Sequence, residues 1–336
     1  MPVALVRRTT IAALLLAVRA PCVLSQDSVA APRSRAAPVF VYDSIHDRLV
    51  LFGGSGPSPH AELTYAWMND RWSVIARTGP QARDEVAFGS ASHDGSIVMF
   101  GGRGFGTSTP TNPFGRVPFR DTWRFDGSRW TLEDTAGLEA RPGAQGAYDP
   151  ERRRFVVFGG TPDRTTSLAN DTWEWDGRRW TRFDTPGPPG RKGHAMAYDA
   201  TAHAVIVHGG VRDGVALTDT WAWNGTQWTL LTMEGPRSVF GAAAMRPAGG
   251  VVLFGGHTMP GMSTETWHLS GKQWKAVASS GPPPRTFNAL ATDARRGRIY
   301  MIGGIGRVNG EDRILNDLWY LDSAGTWVQV YRHDAP

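Results

Sequence analysis

Six arginines stand at one fixed distance from six Gly-Gly pairs, and they are the sharpest chemical signal in the sequence. The number of residues between the arginine and the first glycine of its pair is the same in all six cases, as between Arg35 and Gly53. The six arginines are Arg35, Arg83, Arg141, Arg191, Arg237 and Arg285. A guanidinium group presents a rigid fork of donors, which suits a carboxylate, a sulfate or an acidic peptide. If the repeats bring these arginines together, they predict a site that binds an anionic ligand.

An alternative interpretation assigns these arginines to the scaffold. Five of the six units carry an acid two residues before their first aromatic position, namely Asp121, Asp171, Asp219, Glu265 and Asp317, whereas the first unit has Leu63. Arginine and acid would then pair, and a position that recurs in every repeat more often serves the fold than a ligand. The two interpretations are compatible. Arg35 is the arginine that we expect to be free, because its own unit lacks the acid.

Three histidines break the pattern of the repeats, and such departures mark candidate functional residues. His194 and His208 belong to the fourth unit and His257 to the fifth, which would let the three approach one another. No carboxylate or second histidine stands at a close spacing that would support a metal site. We therefore expect structural histidines, no metal and no cofactor, and we keep His194 and His257 as candidate ligand-binding residues.

The arginines are positioned by a repeated unit whose most regular features are glycine pairs and tryptophans. The pairs begin at Gly53, Gly101, Gly159, Gly209, Gly255 and Gly303. After each pair come an aromatic residue and then, seven or eight positions later, a tryptophan. All 14 tryptophans fall at these two columns or two residues beyond the first. Because the pairs recur roughly every 50 residues, they indicate an array of stacked repeats.

Each unit contains the pattern of four short strands, called A to D here. In the fourth unit they are predicted at residues 194–199, 204–210, 219–223 and 227–231. Strands C and D are joined there by Asn224-Gly225, a pair that tolerates the positive φ of a tight hairpin. With 40 Gly, 23 Pro and no sustained helical periodicity, the sequence predicts an all-β protein.

The apolar run, Gly-Gly pair and two spaced aromatic residues resemble the kelch motif, and the resemblance covers roughly residues 35 to 332. It implies a six-bladed kelch-type β-propeller of four-stranded antiparallel blades, similar to the central domain of galactose oxidase. Strand A would be innermost, so that the arginines encircle one mouth of the channel. The propeller is expected at residues 35–334, with blades at 35–78, 83–136, 141–186, 191–233, 237–279 and 285–332.

The two rims of such a propeller carry different loops. The A-to-B and C-to-D turns are short, whereas the stretch from each glycine pair through the B-to-C loop varies in length between units. The longest loop runs from Arg103 to Arg120 and carries Phe105 and Phe114. Variable loops on a constant scaffold are where binding is usually found. This loop is therefore either a contact segment or a disordered surface excursion.

Residues 1–25 predict a secretory signal peptide, because Arg7 and Arg8 precede a short apolar run that ends before Ser25. Residues 26–34 would be a linker, and the mature chain is expected to be secreted or periplasmic. The apolar run is far shorter than the roughly 20 residues that span a bilayer, so we expect no membrane span. Without the signal the chain loses its one cysteine and three of its 36 basic residues but keeps all 31 acidic ones, which gives nucleic-acid binding no electrostatic support.

The kelch resemblance also implies activities that can be compared with these residues. Galactose-oxidase-like copper enzymes need a tyrosine cross-linked to a cysteine, which the mature chain lacks, and the Glu, Asp, His triad of iron-dependent specifier proteins is absent. A mutarotase or epimerase for an acidic sugar stays open, with Glu234 or Glu85 as general base and Arg191 or Arg237 as clamp. The preferred expectation is a non-catalytic scaffold that binds a protein, peptide or glycan on the loop-rich rim.

Overall fold

The computed structural model describes residues 31–56, 61–91, 93–106, 109, 115–163, 165–258, 261–277 and 281–331. These residues form no helix, and their strands make six four-stranded antiparallel sheets, which we number as blades one to six. The predicted all-β architecture of four-stranded antiparallel blades is confirmed. No helix long and apolar enough to cross a membrane occurs in this part of the chain.

Within each blade, strands A to D follow one another in chain order, and each pairs antiparallel with the next. The A strands are β1 (Val39–Asp43), β5 (Ala87–Ala91), β11 (Ala144–Asp149), β15 (Ala195–Asp199), β21 (Ala242–Met245) and β26 (Ala289–Asp293). The B strands are β2 (Arg48–Phe52), β6 (Ser96–Phe100), β12 (Arg154–Gly159), β16 (Ala204–His208), β22 (Val251–Phe254) and β27 (Arg298–Ile302). The C strands are β3 (Thr64–Met68), β9 (Thr122–Phe125), β13 (Thr172–Trp175), β19 (Thr220–Trp223), β23 (Thr266–Ser270) and β30 (Leu318–Leu321). The D strands are β4 (Arg71–Ala76), β10 (Trp130–Asp134), β14 (Trp180–Phe183), β20 (Trp228–Thr232), β24 (Gln273–Val277) and β31 (Trp327–Tyr331).

The B-to-C loops of blades two, four and six carry short β-ribbons. The ribbons pair β7 (Arg103–Phe105) with β8 (Arg116–Pro118), β17 (Val211–Arg212) with β18 (Val215–Ala216), and β28 (Ile305–Val308) with β29 (Glu311–Ile314). In blade six, β25 (Arg285–Thr286) adds a third strand beside β28. The ribbons therefore come from alternate blades, all on the rim where the A strands begin.

The apolar cores lie between neighbouring blades. Val50 and Phe52 of β2 share one fully buried cluster with Ile97 and Met99 of β6. The outer D strands are exposed on one side, as in β20, where buried Trp228 is followed by two exposed residues. A four-stranded meander with two apolar faces is covered only when a blade lies on each side, so the sequence requires the units to stack.

In blades two to six, a tryptophan on strand D connects the blade to the one before it. The indole N–H of Trp228 donates to the Thr172 hydroxyl at 2.9 Å, and both groups are buried. The same bond joins Trp130 to Thr64, Trp180 to Thr122, Trp274 to Thr220 and Trp327 to Thr266. Between blades six and one, Leu318 stands at the threonine position. The buried Nε1 of Trp72 accordingly has no hydrogen-bond partner among the described residues.

The A strands contact their neighbours in a circle that returns from β26 to β1. Blade one has its own strand A and blade six its own strand D, as predicted, and residues 31–34 form no strand. The last blade meets the first through a hydrogen bond from Gly304 N to Arg35 O of 2.8 Å. On the opposite rim, Arg296 binds both carboxylate oxygens of Asp47 at 2.6 Å.

The glycine pairs allow this close approach between blades. Gly53 has a φ of +66°, and a Cβ there would lie 2.5 Å from the carbonyl oxygen of Arg83 in the next blade. The following N–H, from Gly54, donates to that same oxygen at 2.8 Å. Only glycine combines this backbone conformation with this contact.

Candidate functional site

The arginines of blades two, three, four and six lie at the start of strand A and pair with the acid that precedes strand C. In blade four, Arg191 donates through Nη1 and Nη2 to the two oxygens of Asp219, both at 2.7 Å, and through Nη1 to Gly209 O at 2.9 Å. Arg83, Arg141 and Arg285 form the equivalent pairs with Asp121, Asp171 and Asp317. These four arginine side chains are at most 1 % exposed, so their donors are turned inward rather than towards a ligand.

The neighbouring tryptophan completes each pair. Trp221 Nε1–H donates to the second oxygen of Asp219 at 2.7 Å. Burial acts to raise the pKa of Asp219, but hydrogen bonds from Arg191 and Trp221 outweigh it, and the pKa lies below its ordinary value. Four blades thus share an Arg–Asp–Trp triad whose carboxylate accepts hydrogen bonds from both neighbours.

Arg35 is not free, contrary to the expectation from its sequence. Its side chain is buried, its Nη1 donates to Gly53 O at 2.8 Å, and its guanidinium carbon lies 5.1 Å from the centre of the Tyr65 ring. Burial lowers the pKa of this guanidinium, although the charge of Glu62 and a side-chain hydrogen bond with Tyr65 act in the opposite direction. The expectation was wrong because it counted only the acid at one fixed position.

In blade five the structure replaces the predicted arginine by a serine. Ser238 O accepts the bond from Gly210 N at 3.1 Å that in other blades runs to the arginine carbonyl, and Ser238 Oγ donates to Gly255 O at 3.1 Å. Arg237 lies one residue earlier and is exposed. The segment up to the glycine pair is one residue shorter in this blade, so the fixed count used for the other units ends on the wrong residue.

The histidines occupy separate environments. His194 is almost fully buried, its ring lies 5.7 Å from that of Phe158, and burial, aided by the charge of Arg191, lowers its pKa to about 3. His208 is held by the Thr220 hydroxyl at 2.9 Å, while His257 is exposed in the loop of blade five. No group of three potential metal ligands lies close enough to hold an ion in the described part of the chain.

The long loop of blade two contributes one exposed aromatic side chain. Phe105, at the end of β7, is 57 % exposed, and the guanidinium of Arg116 lies 4.7 Å from its ring centre. Arg116 also pairs with buried Asp84, which fixes the ribbon to the start of blade two. Phe114 lies outside the described residues. Part of the predicted contact loop is therefore an ordered ribbon that presents an aromatic ring.

A second ring of six residues surrounds the channel mouth, and no sequence pattern pointed to it. Each lies two positions after the arginine or serine, and each has a left-handed backbone with φ between +51° and +76°. They are Ala37, Glu85, Gly143, Gly193, Phe240 and Phe287. Their backbones connect neighbouring blades: Phe240 N donates to Gly193 O at 2.7 Å and Phe287 N to Phe240 O at 2.8 Å.

The mouth has an aromatic half and a charged half. The Phe240 and Phe287 rings stack with centres 4.3 Å apart, and the Phe240 ring covers Gly193, where a Cβ would lie 2.7 Å from it. On the other side a carboxylate oxygen of Glu85 lies 3.7 Å from Nε of Arg103. Burial raises the pKa of Glu85, although the charge of Arg103 acts to lower it. A left-handed phenylalanine is a true conformational outlier, and here two of them lie side by side.

Below this mouth the channel encloses about 320 Å³. The A strands line it, with alanine and glycine alongside aromatic residues such as Phe40, Tyr42 and Tyr198, and their unpaired edges face inward. Glu85 lines the loop-rich end and Arg295 the opposite end. Of the residues named for the acidic-sugar alternative, Glu85 lines the channel, whereas Arg191 is buried against Asp219 and Arg237 is exposed.

Residues 147–335, more than half of the chain, match a family model described as the KLHDC2/KLHL20/DRC7 Kelch-repeats domain. No curated protein matches the chain. The matched region begins within β11 and includes blades four to six entirely. The match supports the kelch assignment of the repeat.

Proposed function

The chain belongs to the KLHDC2/KLHL20/DRC7 kelch-repeat family, and from that premise we propose that it is an exported, non-catalytic scaffold that binds a peptide segment of a protein partner. Kelch repeats typically serve as protein-interaction scaffolds, which is consistent with a binding role. The proposed contact surface is the loop-rich rim, with its centre at the channel mouth.

One observation carries this placement, namely the stacked pair of left-handed phenylalanines. A bulky residue with positive φ costs about 1–2 kcal/mol relative to an ordinary conformation. Gly143 and Gly193 occupy the same position in blades three and four, so the fold itself does not need a side chain there. Strained residues of this kind persist mainly at binding sites, where the side chain has a role beyond the fold.

The surroundings of the pair suit a peptide. Phe105 on β7 and Val215 on β18 are both more than half exposed, on ribbons of the same rim. Rigid aromatic rings beside a cavity are the usual energetic centre of a protein interface. Backbone N–H and C=O groups on the free edges of the A strands would satisfy those of an extended segment.

The test uses two variants that imitate blades three and four. Phe240→Gly and Phe287→Gly remove the rings and leave a residue suited to the left-handed backbone, so both variants are expected to fold. Peptides selected from a displayed random library against the wild-type protein should bind the double variant at least about tenfold more weakly, as expected for loss of an aromatic anchor. Ile45→Ser, on the opposite rim and 54 % exposed in the wild type, serves as the control and should bind normally.

Failure to select any peptide, or equal binding by the double variant, would refute the peptide site. A glycan panel screened by thermal shift tests the remaining class of ligand, since a ligand selective for the folded state raises its apparent stability. Carbohydrate binding without peptide binding would contradict the proposal.

Export is the second part of the proposal and rests on residues 1–25 alone. When the full chain is expressed in a bacterium with a Sec pathway, the product in the periplasm or medium should begin at Gln26. N-terminal sequencing of that product measures the cleavage site. An uncleaved chain that stays in the cytoplasm would contradict export and would leave the proposed peptide site untouched.

A further inference from the structure

The repeat acts as its own control, because one blade keeps the partners of the buried arginine and lacks the arginine. In blade five the acid is Glu265, and Trp267 Nε1–H donates to it at 3.1 Å as the tryptophan does in the other triads. Ser238 stands at the arginine position, as its bond from Gly210 N shows. The carboxylate is therefore oriented for a cation that the blade itself does not supply.

The residue beside this carboxylate is also polar, whereas it is apolar in the other four blades that form the equivalent backbone bond. Two positions before the acid stands a residue whose backbone N–H donates to the carbonyl oxygen of the second glycine of the pair. In blades two, three, four and six this residue is Phe119, Ala169, Leu217 and Leu315. In blade two, the Phe119 ring covers the guanidinium of Arg83 at 3.9 Å. In blade five the equivalent residue is Ser263, whose N–H bonds to Gly256 O at 2.9 Å.

Exposure agrees with this difference. Asp219, the acid of blade four, is 6 % exposed beside its arginine, whereas Glu265 is an exposed residue. Strand β15 is buried throughout, but three of the four residues of β21 are partly accessible. Two serines thus replace an arginine and its apolar cover in blade five, and solvent reaches the carboxylate.

We propose that blade five binds the guanidinium group of an arginine side chain supplied by a partner, with Glu265 as its acceptor and Trp267 holding that carboxylate. The four intact triads are the template for this ligand: each places a guanidinium against an acid that a tryptophan orients. A carboxylate and a guanidinium form two parallel charge-assisted bonds. Because the partner is taken to dock on the loop-rich rim, this inference rests on the proposed function.

Arg237 is an arginine of blade five whose effect must be separated from that of a partner's arginine. It is exposed, it stands one residue before Ser238, and no ion pair joins it to a carboxylate among the described residues. His257 and Ser263 also lie in this part of blade five, and Ser263 Oγ accepts a bond from Glu265 N at 2.9 Å. A variant that removes Arg237 therefore belongs in the test.

The probe is N-acetyl-arginine-N-methylamide, titrated into ¹⁵N-labelled protein while the indole N–H resonances are followed. The Trp267 resonance, assigned with a Trp267→Phe variant, should shift saturably. The citrulline counterpart, which has the same shape without the charge, should bind at least about tenfold more weakly. Arg237→Ala should bind the arginine probe as tightly as the wild type or more tightly.

Three variants complete the experiment. Glu265→Gln should lose the response by tenfold or more, and Ser238→Arg should abolish it because the blade then supplies its own guanidinium. Glu234→Gln, which neutralises another exposed acid on the same rim, should leave it unchanged. Equal binding of citrulline, or an unchanged response in Glu265→Gln, would overturn the inference.

The two proposals fail separately. If arginine does not bind while the selected peptides still depend on Phe240 and Phe287, only the blade-five site is lost. If arginine binds and no peptide is selected, the cation site stands and the peptide function at the channel mouth falls.

Discussion

Replacing Thr172 by valine removes the acceptor of one inter-blade hydrogen bond while keeping the shape of the side chain. The Trp228 Nε1–H lies 2.9 Å from the Thr172 hydroxyl, and neither residue is accessible enough for water to replace the bond. A buried donor left without an acceptor costs about 1–3 kcal/mol in the free energy of unfolding. With a urea m-value of about 3 kcal/mol/M, the midpoint should fall by about 0.3–1 M.

Thr181→Val is the matched control, since Thr181 lies on strand D of the same blade and is exposed. Its effect should stay within about 0.5 kcal/mol. A second comparison uses a natural difference between blades. Trp228→Phe removes an indole N–H that has an acceptor, whereas Trp72→Phe removes one that has none among the described residues. If Thr172→Val costs no more than Thr181→Val, the tryptophan–threonine bond does not hold the blades together.

Two further predictions concern buried ionisable groups. Arg191→Ala leaves Asp219 buried without its partner and should lower the free energy of unfolding by about 3–5 kcal/mol. Arg237→Ala should change the free energy of unfolding in urea by less than about 0.5 kcal/mol. Equal effects of the two variants would contradict the assignment of Ser238 as the structural position. The pKa of His194 is lowered to about 3 by burial and the charge of Arg191, while an unfolded histidine titrates near about 6.5. The unfolded state therefore takes up a proton first as pH falls below about 6.5, and stability is lost towards pH 3. His194→Val, which copies Val86 of blade two, should lose less stability than the wild type between pH 7 and 4.5, and equal urea-midpoint losses would refute this.

The sequence was informative where each repeat uses the same residue type for the same contact. The tryptophan columns and glycine pairs located the strands, because a close backbone approach and a wide outer gap each admit few residues. A threonine precedes the first aromatic residue in five units, as in Thr172-Trp173, and this column would have identified the inter-blade bond. Leu318 in the sixth unit would then have marked the exception.

Contacts that depend on backbone register could not be obtained by counting. Ser238 replaces the arginine of blade five because one residue is missing before Gly255, and only the bond from Gly210 N reveals the shift. The left-handed ring is harder still, since Ala37, Glu85 and Phe240 share a backbone conformation and no side-chain chemistry. When the six units are aligned on the arginines found by counting, Phe240 and Phe287 fall at different positions of the repeat.

The junction between blades six and one differs from the others because no segment of chain connects those two blades directly. It keeps the backbone bond of the other junctions, from Gly304 N to Arg35 O, but has Leu318 in place of the threonine. The Arg296–Asp47 pair joins the two blades on the A-to-B rim, yet both side chains are more than 40 % exposed, and such pairs contribute at most about 1 kcal/mol. Fully buried Leu318 adds apolar contact where the other junctions have a buried hydrogen bond, and apolar burial contributes without requiring a fixed geometry. Closure therefore rests mainly on packing and on the backbone bond at the glycine pair, without the tryptophan–threonine bond that the covalently connected blades share.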